Sequence, residues 1–382
     1  MAISLRIFIG FIISVALGMS GAYAMPTESG VSESEIVIGQ SLGLTGPLAE
    51  LGVEISNGSR AYIEALNEKG GINGRKIRLV TLDDGYVPAN TFKNVERLLE
   101  QDKVFALLNI MGTPNSAAVM PLIDKTGIPL FSPLTGAEIV RTPFRANVFN
   151  IRAGYRDEIE KLVRHLQTIG VSRIAVVSQE NSFGKEGLAA VESSMNARGI
   201  KPWANASIKT DASDANEAAS HIAKSRPNAI ILITAGRATN ELIKAYNRIA
   251  KGAQFYTLSV MGAQSNIKAL GKDGVGTVVA SVVPFPWSHA SPLAKEYRAA
   301  MHNIGVTEYS FVSFESYINA RVLVEALRRS GKELTRQRFI SAAENISGFN
   351  LGEFGVNFSK DSRQGSRYVE LTIIGASGRF IR

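Results

Sequence analysis

The sequence predicts an α/β protein built on doubly wound parallel sheets, and three observations carry that reading. Short β-branched runs alternate with longer segments of helical period, the pattern of βαβ units. At 382 residues the chain exceeds the roughly 250–300 residues at which a single core stops growing, so two domains are expected. The segments that follow the apolar runs are rich in Gly, Ser, Thr and Asn and nearly free of acids and histidines, which suits the edge of a doubly wound sheet where ligands bind.

In chain order, Arg6, the apolar run from Ile7 to Leu17 and the small-residue site Ala22-Tyr23-Ala24 read as a secretory leader over 1–24, too short to be a spanning helix. Strands are expected at 36–41, 77–82, 104–109, 128–132, 174–178, 229–234 and 277–283. Helices are expected at 57–69, 91–101, 116–125, 158–168, 186–197, 213–223 and 314–329. After the leader no stretch of 18 apolar residues occurs, so no membrane-embedded segment is expected. Cysteine is absent, which excludes disulfides, thiolate metal sites and a lipidated N-terminal cysteine. Export without a lipid anchor points to the periplasm. The net charge of +8 is scattered among acids with no aromatic-interleaved basic run, so no nucleic-acid partner is expected.

Chemistry is hard to place. The histidines at 165, 221, 289 and 302 lie far apart with no ligand spacing, no Gly-x-Ser-x-Gly elbow follows a strand, and the turn "SLGLTGPLAELG" at 41–52 has neither a phosphate-loop nor a dinucleotide frame. No enzyme, metal or cofactor is therefore expected. Asp83-Asp84 point to opposite sides of an extended end, so they are read as caps for the helix that begins near Pro88. Two hydroxyl-bearing turns remain. Thr113-Pro114-Asn115 opens a helix after one strand, and Ser132-Pro133-Leu134-Thr135-Gly136 repeats the arrangement one βα unit later; free amides and helix dipoles there suit a carboxylate.

The strand "IVIG", the turn "LTGPLAELG", "GGINGRKIRLVTLDDGYVP" at 70–88, "GIPLFSPLTGA" at 127–137 and "FESYINARVLVEALRRSG" at 314–331 resemble the leucine/isoleucine/valine-binding protein family. These are type I periplasmic solute-binding proteins of ABC transporters, and the resemblance covers nearly all the chain after the leader. It implies two Rossmann-like lobes joined by a three-crossing hinge, one over 25–151 and 282–357, the other over 152–281 and 358–382. The ligand would lie in the cleft between them, and a monomer would hand it to an inner-membrane permease. By the same resemblance Gly112, Thr113, Ser132, Leu134 and Thr135 would hold the ligand carboxylate. Phe183 would cover it from the second lobe, and Leu51 and Phe311 would line the side-chain pocket.

One departure stands out. Amino-acid-binding members of the family carry an acid where this chain has Ser259, and Gly236 or Arg237 stands where they carry an aromatic hydroxyl. An unpaired buried ammonium costs several kcal/mol, so an amino acid would need another acid, for which Glu315 is the candidate. An amine-free aromatic or keto acid is the rival cargo, with Arg237 as a second anion contact. A sensor subunit coupled to a regulator or receptor is the rival role.

Overall fold

The computed structural model describes residues 28–382, and the leader expected at 1–24 lies outside them. The first sheet contains β1 (Glu35–Leu42), β2 (Lys76–Asp83), β3 (Ala106–Leu108), β4 (Leu130–Phe131) and β5 (Val148–Phe149), all parallel, in the order β2-β1-β3-β4-β5. Helices α1 (Ala49–Glu68), α2 (Pro88–Glu100) and α3 (Thr113–Thr126) make its first three crossovers. This strand order reverses direction between β1 and β3, which opens a crevice at their carboxyl ends.

The second sheet repeats the plan. After α4 (Tyr155–Thr168) come β6 (Ile174–Gln179), α5 (Ser182–Asn196), β7 (Ala204–Ile208), α6 (Ala215–Lys224), β8 (Ala229–Ile233), α7 (Arg237–Ile249), β9 (Gln254–Thr257), α8 (Gln264–Leu270) and β10 (Val278–Ser281). Its parallel strands run β7-β6-β8-β9-β10, with the reversal between β6 and β8. β8, "AIILI", is buried at every position because helices cover both faces.

The chain then returns to the first lobe as α9 (Pro292–Asn303), α10 (Phe311–Arg329) and α11 (Arg336–Glu344), with α9 and α10 packed on α1. A short hairpin, β11 (Phe349–Asn350) and β12 (Gly355–Val356), follows. The last strands, β13 (Glu370–Ile374) and β14 (Phe380–Ile381), extend the second sheet antiparallel to β10. The chain thus passes between the lobes after β5, after β10 and after β12. The first and third passages are bonded together: Asn150 N donates to Arg363 O at 2.8 Å and Gly365 N to Asn150 O at 2.7 Å.

Three local expectations need correction. α1 begins at Ala49, eight residues ahead of the expected 57, because a 3-10 turn over Gly46–Leu48 with Pro47 in its first turn leads directly into it; Leu51 and Gly52 are therefore helical. β3 and β4 are shorter than expected because Asn109 (φ 55°) and Ser132 (φ 51°) turn the backbone into the left-handed region just past each strand. Asp83 and Asp84 do not cap α2, whose N-cap is Val87 with no side-chain bond. Asp83 instead accepts from the amides of Leu44, Thr45 and Gly85, and Asp84 accepts from Tyr86 N and the hydroxyls of Ser41 and Thr91. Both acids fix the turns on either side of the β1–β2 edge.

Candidate functional site

The strand-reversal crevices of the two sheets face each other, and the space between them is a cavity of ≈ 30 Å³. The first lobe contributes Leu48, Leu51 and Ile55 after β1 and Met111, Gly112 and Thr113 after β3; the second contributes Phe183 after β6 and Ala235 after β8. Arg152 and Tyr155 enter from the first passage, Ser259 and Val260 from the turn after β9, and Val312 and Glu315 from the start of α10. By the roughly 10–15 Å³ that one water needs, the cavity has room for a few waters at most. Anything the size of an amino acid enters only when the walls part.

One end of the cavity is arranged for an anion. Gly112 is the N-cap of α3, so the helix dipole and its first amides point at the space beside Thr113. Only glycine fits at 112. Its φ is 91°, and a Cβ there would lie 2.5 Å from the Tyr86 ring. The Thr113 hydroxyl is 2.7 Å from that of Thr135, which also accepts from Ala137 N, so the second turn supports the first from behind.

The other end is charged. Arg152 and Glu315, each 4% exposed, and fully buried Glu158 form a cluster in which Arg152 Nη2 donates to Glu158 Oε1 at 3.0 Å and Nη1 lies 3.5 Å from Glu315 Oε1. Ser259 N and Oγ donate to Glu158 at 2.8 and 3.1 Å, and Arg152 Nη2 donates to Ser259 Oγ. Glu315 Oε1 accepts no hydrogen bond from the described residues. Burial raises both carboxyls above their usual range, and Arg152 is the main opposing influence on each. Burial also works against the charge of Arg152, but Glu315 and Glu158 outweigh it and hold the guanidinium protonated. Two acids thus share one hydrogen-bonded arginine, with Arg141 a further positive influence on Glu315.

A model of the periplasmic binding protein family matches residues 35–379. The chain belongs to that family. Among similar proteins, an amino acid binding protein of Pseudomonas aeruginosa is 28% identical over 191 residues, 49% of this chain and 50% of that one, so the chain spans about half the length of that curated relative. Leu/Ile/Val-binding protein homolog 7 of Brucella melitensis is 23% identical over 352 residues, 87% of each chain. The crystal structure of a substrate-binding periplasmic protein from Ralstonia solanacearum superposes with a TM-score of 0.85 at 34% identity, covering 90% of this chain and 99% of that one.

In this periplasmic binding protein the expected site residues divide into two groups. Leu51, Gly112, Thr113, Leu134, Phe183, Ser259 and Glu315 line the cavity together. Thr135 lies one layer behind, bonded to Thr113, and Ser132 is buried with its hydroxyl unpartnered and outside the lining. Phe311 does not line it: its ring packs edge-on against Phe285, Trp287 and Phe380. Val312 and Glu315, one turn apart on α10, share the face that looks into the cavity, and Phe311 falls on another. Arg237 is exposed at the first position of α7 and outside the lining. At Gly236 (φ 54°) a Cβ would lie 2.3 Å from Leu48 Cδ2 of the opposite lobe, so no aromatic side chain fits there; Leu48 fills that space.

The residues missed from the sequence include Arg152, Glu158, Tyr155 and Tyr86 and the apolar lining residues Leu48, Ile55 and Val312. A lone arginine directly after the apolar run "NVFNI" was the one legible signal, because such a position needs a buried partner. Among the described residues there is no cluster of three metal-binding side chains and no helix long and apolar enough to cross a membrane.

Proposed function

We propose that the protein is the periplasmic binding component of an ABC importer and that it captures an apolar α-amino acid of the leucine, isoleucine and valine type. The cargo carboxylate sits at the N-terminus of α3 beside Thr113, its ammonium meets Glu315, and its side chain lies among Leu48, Leu51, Ile55 and Phe183. One observation carries this reading: two buried acids, Glu158 and Glu315, share the single arginine Arg152, and Glu315, which lines the cavity, has an Oε1 that accepts no hydrogen bond from the described residues. An ammonium adds the missing positive partner, whereas an amine-free acid brings a further acid to a site that already holds two. The amino-acid and Leu/Ile/Val-binding relatives are consistent with such a cargo.

The lobes are taken as 25–151 with 282–357 and 152–281 with 358–382, and the three passages between them act as the hinge. Closure around the cargo creates the form that the permease accepts, and the protein works as a monomer without chemistry of its own. The test is a thermal-shift comparison of residues 25–382 with L-leucine, L-isoleucine and L-valine against their keto acids. A ligand at 100 times its Kd adds about 2.7 kcal/mol of stability. Stabilisation by the amino acids alone is expected; stabilisation by the keto acids alone overturns the reading.

A further inference from the structure

Two carboxylates outside the cavity lining reach across the cleft in opposite directions. Glu54 of α1, next to the lining residue Ile55, belongs to the first lobe, and its Oε1 and Oε2 accept from Ser265 N at 3.0 Å and Gln264 N at 3.2 Å, the first amides of α8 in the second lobe. Glu186 of α5, one turn beyond the lid Phe183, belongs to the second lobe, and its Oε1 accepts from Glu138 N, the first amide of a 3-10 turn (Glu138–Val140) in the first lobe. Each lobe thus supplies a carboxylate to helix-start amides of the other.

We propose that Glu54 and Glu186 form a reciprocal clasp that holds the closed cleft without touching the cargo. This rests on the reading of the protein as a two-lobed receptor that closes. The physical case is one of matched need: amides at helix starts have no partner within their own helix, so in the closed form they stay satisfied only if something reaches them. Parting the lobes returns both carboxylates and all three amides to water, so the clasp contributes only when the cleft is shut. Other directional contacts join the lobes beside them: Lys268 of α8 pairs with Glu308, Arg156 Nε lies 3.4 Å from Glu138 Oε1, and Phe311 N donates to Gly262 O at 3.1 Å. The two glutamates differ from the ion pairs in reaching backbone amides at helix starts, and from the backbone bond in being replaceable.

The chain has no cysteine, so labels can be placed cleanly. Cysteines introduced at exposed Lys93 on α2 and Glu217 on α6 carry spin labels, and the distance distribution between lobes is measured with and without saturating L-leucine. Calorimetry gives the L-leucine Kd of the same proteins. In E54A and E186A the clasp predicts a shift toward longer distances and roughly tenfold weaker leucine binding each, since a half-buried amide loses its acceptor. E54Q, which keeps one acceptor oxygen, should retain most of the closed population. Distributions and Kd values in both alanine variants that match the unsubstituted protein overturn the clasp. If leucine leaves the unsubstituted distribution unmoved while the alanine variants open, the cargo reading fails and the clasp stands.

Discussion

The Ser259 amide donates to Glu158 Oε2 at 2.8 Å, so an acid from α4 occupies the place where the strand end itself offers only a hydroxyl. Glu158 is fully engaged there by Arg152 and by both donors of Ser259. That leaves Glu315 as the cavity acid with bonding capacity to spare.

Replacing Glu315 by Gln should therefore weaken leucine binding by about 2–5 kcal/mol, the usual cost of removing one partner of a buried charge pair. Calorimetry on E315Q should also show a smaller gap between leucine and its keto acid. An unchanged gap assigns the ammonium elsewhere.

Arg152 carries stability as well as charge balance. In R152M the carboxylates of Glu158 and Glu315 are left buried and uncompensated, and unfolding should become easier by about 3–5 kcal/mol. Urea denaturation measures this, and adding E158Q to R152M should recover part of the loss.

The two hydroxyl turns should respond differently. Thr113→Ala removes a hydroxyl that lines the cavity and should weaken cargo binding by about 1–3 kcal/mol. Ser132→Ala removes a hydroxyl that has no partner among the described residues and lies outside the lining, so titration should return an unchanged Kd.

Gly236 permits the closest approach of the lobes described above. In G236A the added Cβ meets Leu48 across the cleft at a backbone angle that alanine rarely adopts. Overpacking of this kind costs about 1–3 kcal/mol, and here it applies only to the closed form. Cargo affinity should drop by the equivalent factor, and the melting temperature of the cargo-free protein should fall as well, because the positive-φ backbone strains alanine in both forms.

Closure should strengthen with falling pH. Burial raises the carboxyls of Glu54 and Glu186 above their usual range. Around Glu54 the opposing influences are the Ser310 and Ser265 hydroxyls and the amides of Ser265 and Gln264, with the Tyr297 phenol also near; around Glu186 they are the Glu138 amide, Arg141 and Arg156, while the Glu138 carboxylate reinforces the rise. The raised values belong to the closed form, where these half-buried groups lose part of their water, so closing takes up protons. Its contribution is complete at pH values below the ordinary carboxyl pKa and is lost as pH rises through the raised ones. Spin-label distances in cargo-free protein should show more closed molecules at about pH 5 than at about pH 8, and E54Q with E186Q should reduce that dependence.

Residue order along each segment sets the local grammar of this protein. Continuous β-branched runs such as "AIILI" are stable only as buried parallel strands, and the turns at 112–115 and 132–136 carry their amides and hydroxyls wherever the fold goes, because capping depends on residues a few positions apart. Which of these groups meet depends on how the segments pack. Glu158 and Ser259 are 101 residues apart and bond, whereas Phe311 and Val312 are neighbours whose side chains serve an aromatic cluster and the cavity respectively. Burial and charge compensation belong to the packed lobes rather than to any segment, and so the pairing of Arg152 with two acids and the glutamates that cross the cleft appear only once both lobes are in place.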